Sequence, residues 1–161
     1  MNSVQQEIRQ SKPFRSLEEE VYLAIRLTSA VMDEPLAKYL RKKCGISSSQ
    51  YNLLRILRGA GADGRTMSEI GERMINRDPD VTRLADRTVK LGYARRMRDL
   101  DDRRVVKLFV TAKGLDILAE LDEAVDRFMD QALGTMPPAR LELLRDLLNE
   151  VRASLRPFPV E

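Results

Sequence analysis

The run from Asp78 to Gly114 constrains the fold of this chain more than any other stretch. It opens Asp78-Pro79-Asp80-Val81-Thr82-Arg83-Leu84, with an acidic residue and a proline where a helix begins, and its helical pattern stops at Leu91-Gly92. From Tyr93 to Arg98 and from Val105 to Val110 the pattern becomes that of two strands, the second rich in β-branched and aromatic residues. The charged Asp99-Leu100-Asp101-Asp102-Arg103-Arg104 forms the tip between them, and Thr111-Ala112-Lys113-Gly114 closes the run and caps another helix.

A helix followed at once by a basic two-stranded hairpin is the layout of a winged helix-turn-helix. In that layout the helix lies in the major groove and the wing grips the backbone or minor groove. The preceding segments supply the rest of such a domain. Residues Leu17 to Cys44 repeat apolar side chains at helical spacing through Val21, Ile25, Val31, Met32, Leu36, Tyr39 and Leu40, which predicts one long helix, bent or interrupted near Pro35 and stopped by Gly45. Ser47 with Gln50 predicts a capping box for the next helix, with Ile46 and Tyr51 as its hydrophobic staple and Gly59 to Gly64 as its flexible end. Thr66 with Glu69 predicts a second box and a short helix through Ile75, and Asn76-Arg77 reads as the turn before a helix from Pro79 to Leu91. After the hairpin, Leu115, Leu118, Leu121, Val125, Phe128, Met129 and Ala132 stripe one long helix. Leu141, Leu144, Leu147, Leu148, Val151 and Leu155 stripe a last one that starts at Pro137-Pro138 and is stopped by Pro157 and Pro159.

The predicted fold class is therefore mainly α with a small β-wing: a single domain over residues 1–161, with a winged helix-turn-helix over 46–110 and helical dimerisation parts over 16–45 and 111–156. A length of 161 residues suits one domain with a full core. The first ten residues lack the apolar stretch of a signal peptide, and no apolar run reaches the roughly 18 residues of a membrane span. The expectation is a cytoplasmic protein without membrane contact. One cysteine excludes an internal disulfide, and the absence of histidine leaves little for a zinc site, so no metal and no cofactor are expected.

The net charge of +3 conceals an asymmetry. Residues 65–107 hold 12 Lys+Arg against 8 Asp+Glu, whereas residues 115–161 hold 5 against 10. The basic middle is the candidate nucleic-acid face, because phosphate neutralisation supplies most non-specific DNA affinity. Within it, Val81, Leu84, Ala85 and Thr88 fall on the inner side of the helix, while Asp80, Thr82, Arg83, Asp86, Arg87 and Lys90 face outward. Arginine can bond guanine in bidentate fashion, threonine can bond a base edge or touch a thymine methyl, and lysine suits phosphate. On the hairpin, Arg95, Arg96, Arg98, Arg103, Arg104 and Lys107 add charge. An arginine at the tip can enter a narrow minor groove, with Asp102 holding Arg104 by a charge-assisted hydrogen bond. An ordinary solvated helix face and a solubilising loop would show similar charge, and only their placement together favours DNA.

The order of elements, with Asp78-Pro79-Asp80-Val81-Thr82-Arg83-Leu84, Asp102-Arg103-Arg104 and Thr111-Ala112-Lys113-Gly114, resembles the MarR (multiple antibiotic resistance regulator) family of bacterial winged-helix transcription regulators. The resemblance runs from the first long helix to the last. It implies a homodimer interlocked through its first and its two last helices, each subunit presenting a recognition helix and wing to a palindromic double-stranded DNA operator. On that pattern Arg104 is the wing arginine and Asp102 its partner. One departure is Thr88, followed by Val89, where family members usually carry a leucine packed against the domain; it leaves the seating of this helix open.

The chain's own apolar stripes agree with a dimer, since the first helix and the two C-terminal helices carry more apolar surface than a small winged domain can cover. A monomer that folds these helices back on itself is the alternative. Many family members release DNA on binding an aromatic or phenolic ligand, which implies a small-molecule effector and a pocket near Met32, Tyr39 and Tyr51, residues that serve equally well as plain core. A redox route through Cys44 is disfavoured, because the negative end of a helix dipole opposes thiolate and no second cysteine is present. An enzyme is excluded by the lack of histidine, of a glycine-rich phosphate loop and of a reactive cysteine. The remaining rival is a winged helix that binds proteins and not DNA.

Overall fold

A computed structural model describes residues 3–76, 80–99 and 102–155. Its elements run α1 (Val4–Glu7), α2 (Leu17–Cys44), α3 (Ser48–Ala60), a 3-10 turn (Gly61–Asp63), β1 (Arg65–Thr66), α4 (Met67–Arg73), α5 (Val81–Lys90), β2 (Ala94–Arg98), β3 (Val106–Val110), α6 (Ala112–Leu133) and α7 (Pro138–Leu155). The chain divides into two compact units, one up to Asp122 and one from Glu123 onward. Helices with a small antiparallel sheet are the fold class that the sequence predicts.

In the first unit, local chemistry sets each helix boundary. The Ser16 hydroxyl caps α2, three glutamates occupy its first turn and Arg41, Lys42 and Lys43 its last, in the sense that complements the helix dipole. Gly45 adopts a left-handed conformation at φ 67° and donates its N–H to the Arg41 carbonyl, which ends the helix. The helix continues through Pro35 without the interruption that the sequence allowed. Pro35 is exposed, so water can satisfy the Val31 carbonyl that loses its usual donor. Ser47 and Gln50 form a reciprocal capping box on α3, at 3.2 and 3.1 Å, and Thr66 and Glu69 form another on α4. Each such cap stabilises its helix by about 1 kcal/mol.

Three boundaries differ from expectation. Gly59 and Ala60 still belong to α3, and the turn after them is a 3-10 helix. Helix α4 ends at Arg73, because Met74 turns to extended geometry and is buried against the core. Helix α5 is capped by Asp80, whose carboxylate accepts from the Arg83 N–H at 2.9 Å. The expected cap Asp78 and first-turn Pro79 lie outside the described residues, as do Arg77, Leu100, Asp101, Pro157 and Pro159.

The sheet has the order β1-β3-β2. Hairpin strands β2 and β3 pair from Ala94↔Val110 to Arg98↔Val106, one residue shorter at Tyr93 and Val105 than expected. The two-residue strand β1 adds a third member, with Arg65 opposite Leu108 and Thr66 opposite Lys107. The core lies between this sheet and α3, α4 and α5: Leu53, Leu57, Ile70, Met74, Leu84, Ala85, Ala94 and Leu108 are buried together. Gly64 fits beneath the sheet only because it lacks a side chain. Its φ is 62°, and a Cβ there would sit 2.7 Å from the Phe109 ring and 2.8 Å from the Leu108 carbonyl oxygen. At the start of α6 Leu118 and Leu121 are buried, and Asp122 receives a bidentate pair of hydrogen bonds from Arg58 of α3.

The second unit comprises the rest of α6 and α7. An N–H from Gly134 to the Asp130 carbonyl ends α6, and α7 begins at Pro138. Helix α7 buries none of its residues, and Leu143, Leu144, Leu147, Val151 and Leu155 are exposed.

Candidate nucleic-acid interface

Helix α5 separates its residues by face. Leu84, Ala85 and Thr88 are fully buried, while Thr82, Arg83, Asp86, Arg87 and Lys90 are exposed, as the spacing requires. Thr88 shows how a polar residue occupies a core position. Its hydroxyl donates to the Leu84 carbonyl at 2.8 Å and accepts from Gln50 Nε2 at 3.4 Å. The side chain that closes the α3 capping box thus also reaches α5, and this buried polar group is satisfied.

The exposed face is not a row of independent charges. Asp80, expected only to face outward, caps the helix and also pairs with Arg83 at 2.8 Å. Asp86 pairs with Arg96 of the wing, which joins helix to hairpin. Among the described residues, Thr82, Arg87 and Lys90 have no such ion pair.

Asp99 and Asp102 build the wing tip through the main chain. Asp99 Oδ1 accepts from the Asp102 N–H at 3.3 Å, and Asp102 Oδ1 accepts from the Arg104 N–H at 2.9 Å. The sequence predicts that Asp102 holds the Arg104 side chain; among the described residues Asp102 instead accepts from the Arg104 backbone N–H. That arrangement fixes the turn and leaves the Arg103 and Arg104 side chains exposed. Lys107 is held by Asp99, and that hydrogen bond raises its pKa above the ordinary lysine value. Arg98 is exposed at the end of β2, and the Arg95 guanidinium stacks 5.3 Å from the centre of the Phe109 ring on the outer face of the sheet.

The residues suggested for an effector pocket are divided between two helices. Met32 is half-buried and Tyr39 exposed on α2, whereas Tyr51 is buried in α3 with Arg55 over its ring. Two surface grooves of about 440 Å³ each are lined by other residues, one by Asn52, Arg55, Ile56, Arg58, Gly59 and Ile75, the other along the wing at Asp63, Arg95, Met97, Lys107 and Phe109. Burial pushes the Cys44 thiol upward in pKa and nearby Glu120 adds to the shift, so thiolate is disfavoured for stronger reasons than the helix end alone. Among the described residues no cluster of side chains is suited to a metal ion, and no helix is long and apolar enough to cross a membrane.

Sequence reasoning missed the Asp86–Arg96 bridge, the Gln50–Thr88 bond and the attachment of Thr111 and Lys113 to the end of α5. Each joins two different elements, and no local pattern in the sequence signals the pairing.

No family model matches the chain. It is 33% identical to a MarR transcription factor from Planctomyces limnophilus, with 85% of this chain and 98% of that one covered at a TM-score of 0.63. Its fold is also that of Sco3205, a MarR family transcriptional regulator from Streptomyces coelicolor solved in complex with DNA, at 20% identity, 92% and 94% coverage and a TM-score of 0.78. By sequence it is 27% identical over 111 residues to the HTH-type transcriptional regulator PrsX of Escherichia coli, 69% of this chain and 67% of that protein. These relatives are transcription regulators and not enzymes. With capped helices, α5 and a wing in this order, and 33% identity across nearly the whole of a MarR transcription factor, the chain belongs to the MarR family of DNA-binding transcription regulators.

Proposed function

We propose that the chain is a repressor that binds a palindromic double-stranded DNA operator as a homodimer, with residues 46–110 as the DNA-binding part and residues 16–45 and 111–156 as the dimerisation part. In this reading Thr82, Arg83 and Arg87 address base edges in the major groove, Lys90 the flanking phosphates, and Arg104 the minor groove. Asp86, Arg96 and Asp102 lie at the same interface and orient these groups, while Arg98 and Arg103 follow the backbone. The observation that carries the reading is the division of α5 into a fully buried face and a polar exposed one, beside a wing tip whose aspartates accept from main-chain amides and whose Arg103 and Arg104 side chains are exposed. A small aromatic or phenolic effector held near Met32, Tyr39 and Tyr51 would release the DNA.

Salt titration tests the DNA reading. Affinity for duplex should fall steeply as salt rises, with a slope proportional to the phosphates neutralised. Binding that ignores salt, or that is absent for every duplex, points to the protein-interaction module instead. Operator affinity unchanged across a panel of aromatic acids and phenols removes the effector.

A further inference from the structure

The Thr111-Ala112-Lys113-Gly114 segment, which opens the part assigned above to dimerisation, also holds the far end of α5 at several points. The Lys113 ammonium donates to the carbonyl of Leu91, the C-cap residue of α5, at 2.9 Å, and lies 4.9 Å from the centre of the Tyr93 ring. The Thr111 hydroxyl donates to the Gly92 carbonyl at 2.7 Å and, as the cap of α6, accepts from the Gly114 N–H at 3.1 Å. The Thr111 N–H donates to the Tyr93 carbonyl at 3.0 Å. Gly114 is what lets the segment come so close, because a Cβ there would lie 2.2 Å from the Tyr93 carbonyl oxygen. A cation on the last carbonyls of a helix is favoured by the helix dipole as well as by the hydrogen bond.

We propose that Thr111 and Lys113 are positioning residues for DNA recognition: they clamp the C-terminal end of the recognition helix to the first turn of α6 and so set the angle at which Arg83 and Arg87 meet the bases. The proposal rests on the assignment of α5 as the reading helix. The Gln50–Thr88 bond ties the helix along its buried side and the Asp86–Arg96 ion pair ties its exposed side to the wing, while the clamp adds an attachment at its far end.

The rival role for Lys113, which is exposed, is direct contact with a phosphate. The two roles differ in salt dependence, since a lost phosphate contact weakens all duplexes equally and lowers the salt slope by about one. The probes are duplexes that wild-type protein enriches from a random-sequence pool, compared with a scrambled duplex. Lys113→Gln and Thr111→Val should each weaken the enriched duplex by roughly tenfold, the size of one lost base contact, while leaving the scrambled duplex and the salt slope unchanged. Lys113→Arg should restore binding, because a guanidinium can still reach the Leu91 carbonyl. Equal weakening of both duplexes with a reduced slope for Lys113→Gln overturns the clamp in favour of a phosphate contact. Wild-type affinity in both variants, with or without a lower melting temperature, overturns it as well. If wild-type protein enriches no duplex, the assignment of the reading helix fails, and the clamp fails with it.

Discussion

Helices α3 and α7 carry comparable apolar stripes and meet opposite fates. In α3, Tyr51, Leu53, Leu54, Leu57 and Ala60 are buried, whereas α7 exposes Leu143, Leu144, Leu147, Val151 and Leu155 and buries nothing. Helix α2 resembles α7: among its residues Leu40 alone is buried, and Leu17, Tyr22 and Val31 are more than half exposed. The helices around the sheet find their apolar partners within the chain. Much of the stripes on α2 and α7 is exposed, and exposed stripes of this length are expected to be covered by another molecule. Periodicity alone reports that a helix has a face to bury. It does not report whether the cover belongs to the same chain.

Substitutions on the two kinds of stripe should separate these roles. Leu57→Ala opens a cavity in the winged core and should cost about 2–5 kcal/mol, read as a fall in denaturation midpoint that does not depend on protein concentration. Leu147→Ala on α7 should leave the far-ultraviolet spectrum unchanged and weaken self-association by roughly 1.5–3 kcal/mol, read by sedimentation and by a melting temperature that varies with concentration. If Leu147→Ala instead lowers stability independently of concentration, the stripe is covered within one chain and the contrast fails. Thr88→Val sharpens the contrast within the core. It keeps the shape of the side chain and strands the buried Gln50 amide, at a cost of about 1–3 kcal/mol in thermal or chemical denaturation.

On the exposed face, Arg83→Ala and Arg87→Ala should leave stability alone and lose about 1–3 kcal/mol of discrimination per base contact, while Arg104→Ala weakens operator binding without unfolding the protein. Unchanged binding in all three would place the DNA face elsewhere. The smallest effect concerns acid. Hydrogen bonds from Thr66, with Arg65 and Arg73 nearby, hold the Glu69 carboxyl below its ordinary pKa. Its cap on α4 is therefore fully present above the unfolded-state value, near 4 for a glutamate, and is lost as pH falls through the lower folded-state value. Glu69→Gln should flatten that part of the acid stability profile, and an unaltered profile would remove Glu69 from it.

Much of the winged part was legible because its signals are local. Capping boxes fall three residues apart, and Gly45 and Gly92 mark helix ends, so α3, α4 and the end of α5 follow from neighbours in sequence. The misplaced start of α5 has a local cause too: Asp78 and Asp80 are both plausible caps, and the pattern alone does not choose between them. Strand β1 escaped because two residues show no alternation, and it exists only by pairing with β3. At the wing tip the sequence points to a bond from the Arg104 side chain to Asp102, whereas the donor is the Arg104 backbone amide, because spacing does not say which nitrogen donates. The Asp86–Arg96 bridge and the clamp at Thr111 and Lys113 depend on how the hairpin folds back over α5, a tertiary fact without a local pattern.

Selection of bound sequences from a random duplex pool by wild-type protein tests the central claim most directly, because one result reports both the reading face and the second copy. The account predicts enrichment of an inverted repeat with half-sites about one helical turn apart, as two-fold related recognition helices require. Enrichment of a single unrepeated motif would contradict the dimer, and no enrichment at all would contradict the reading face.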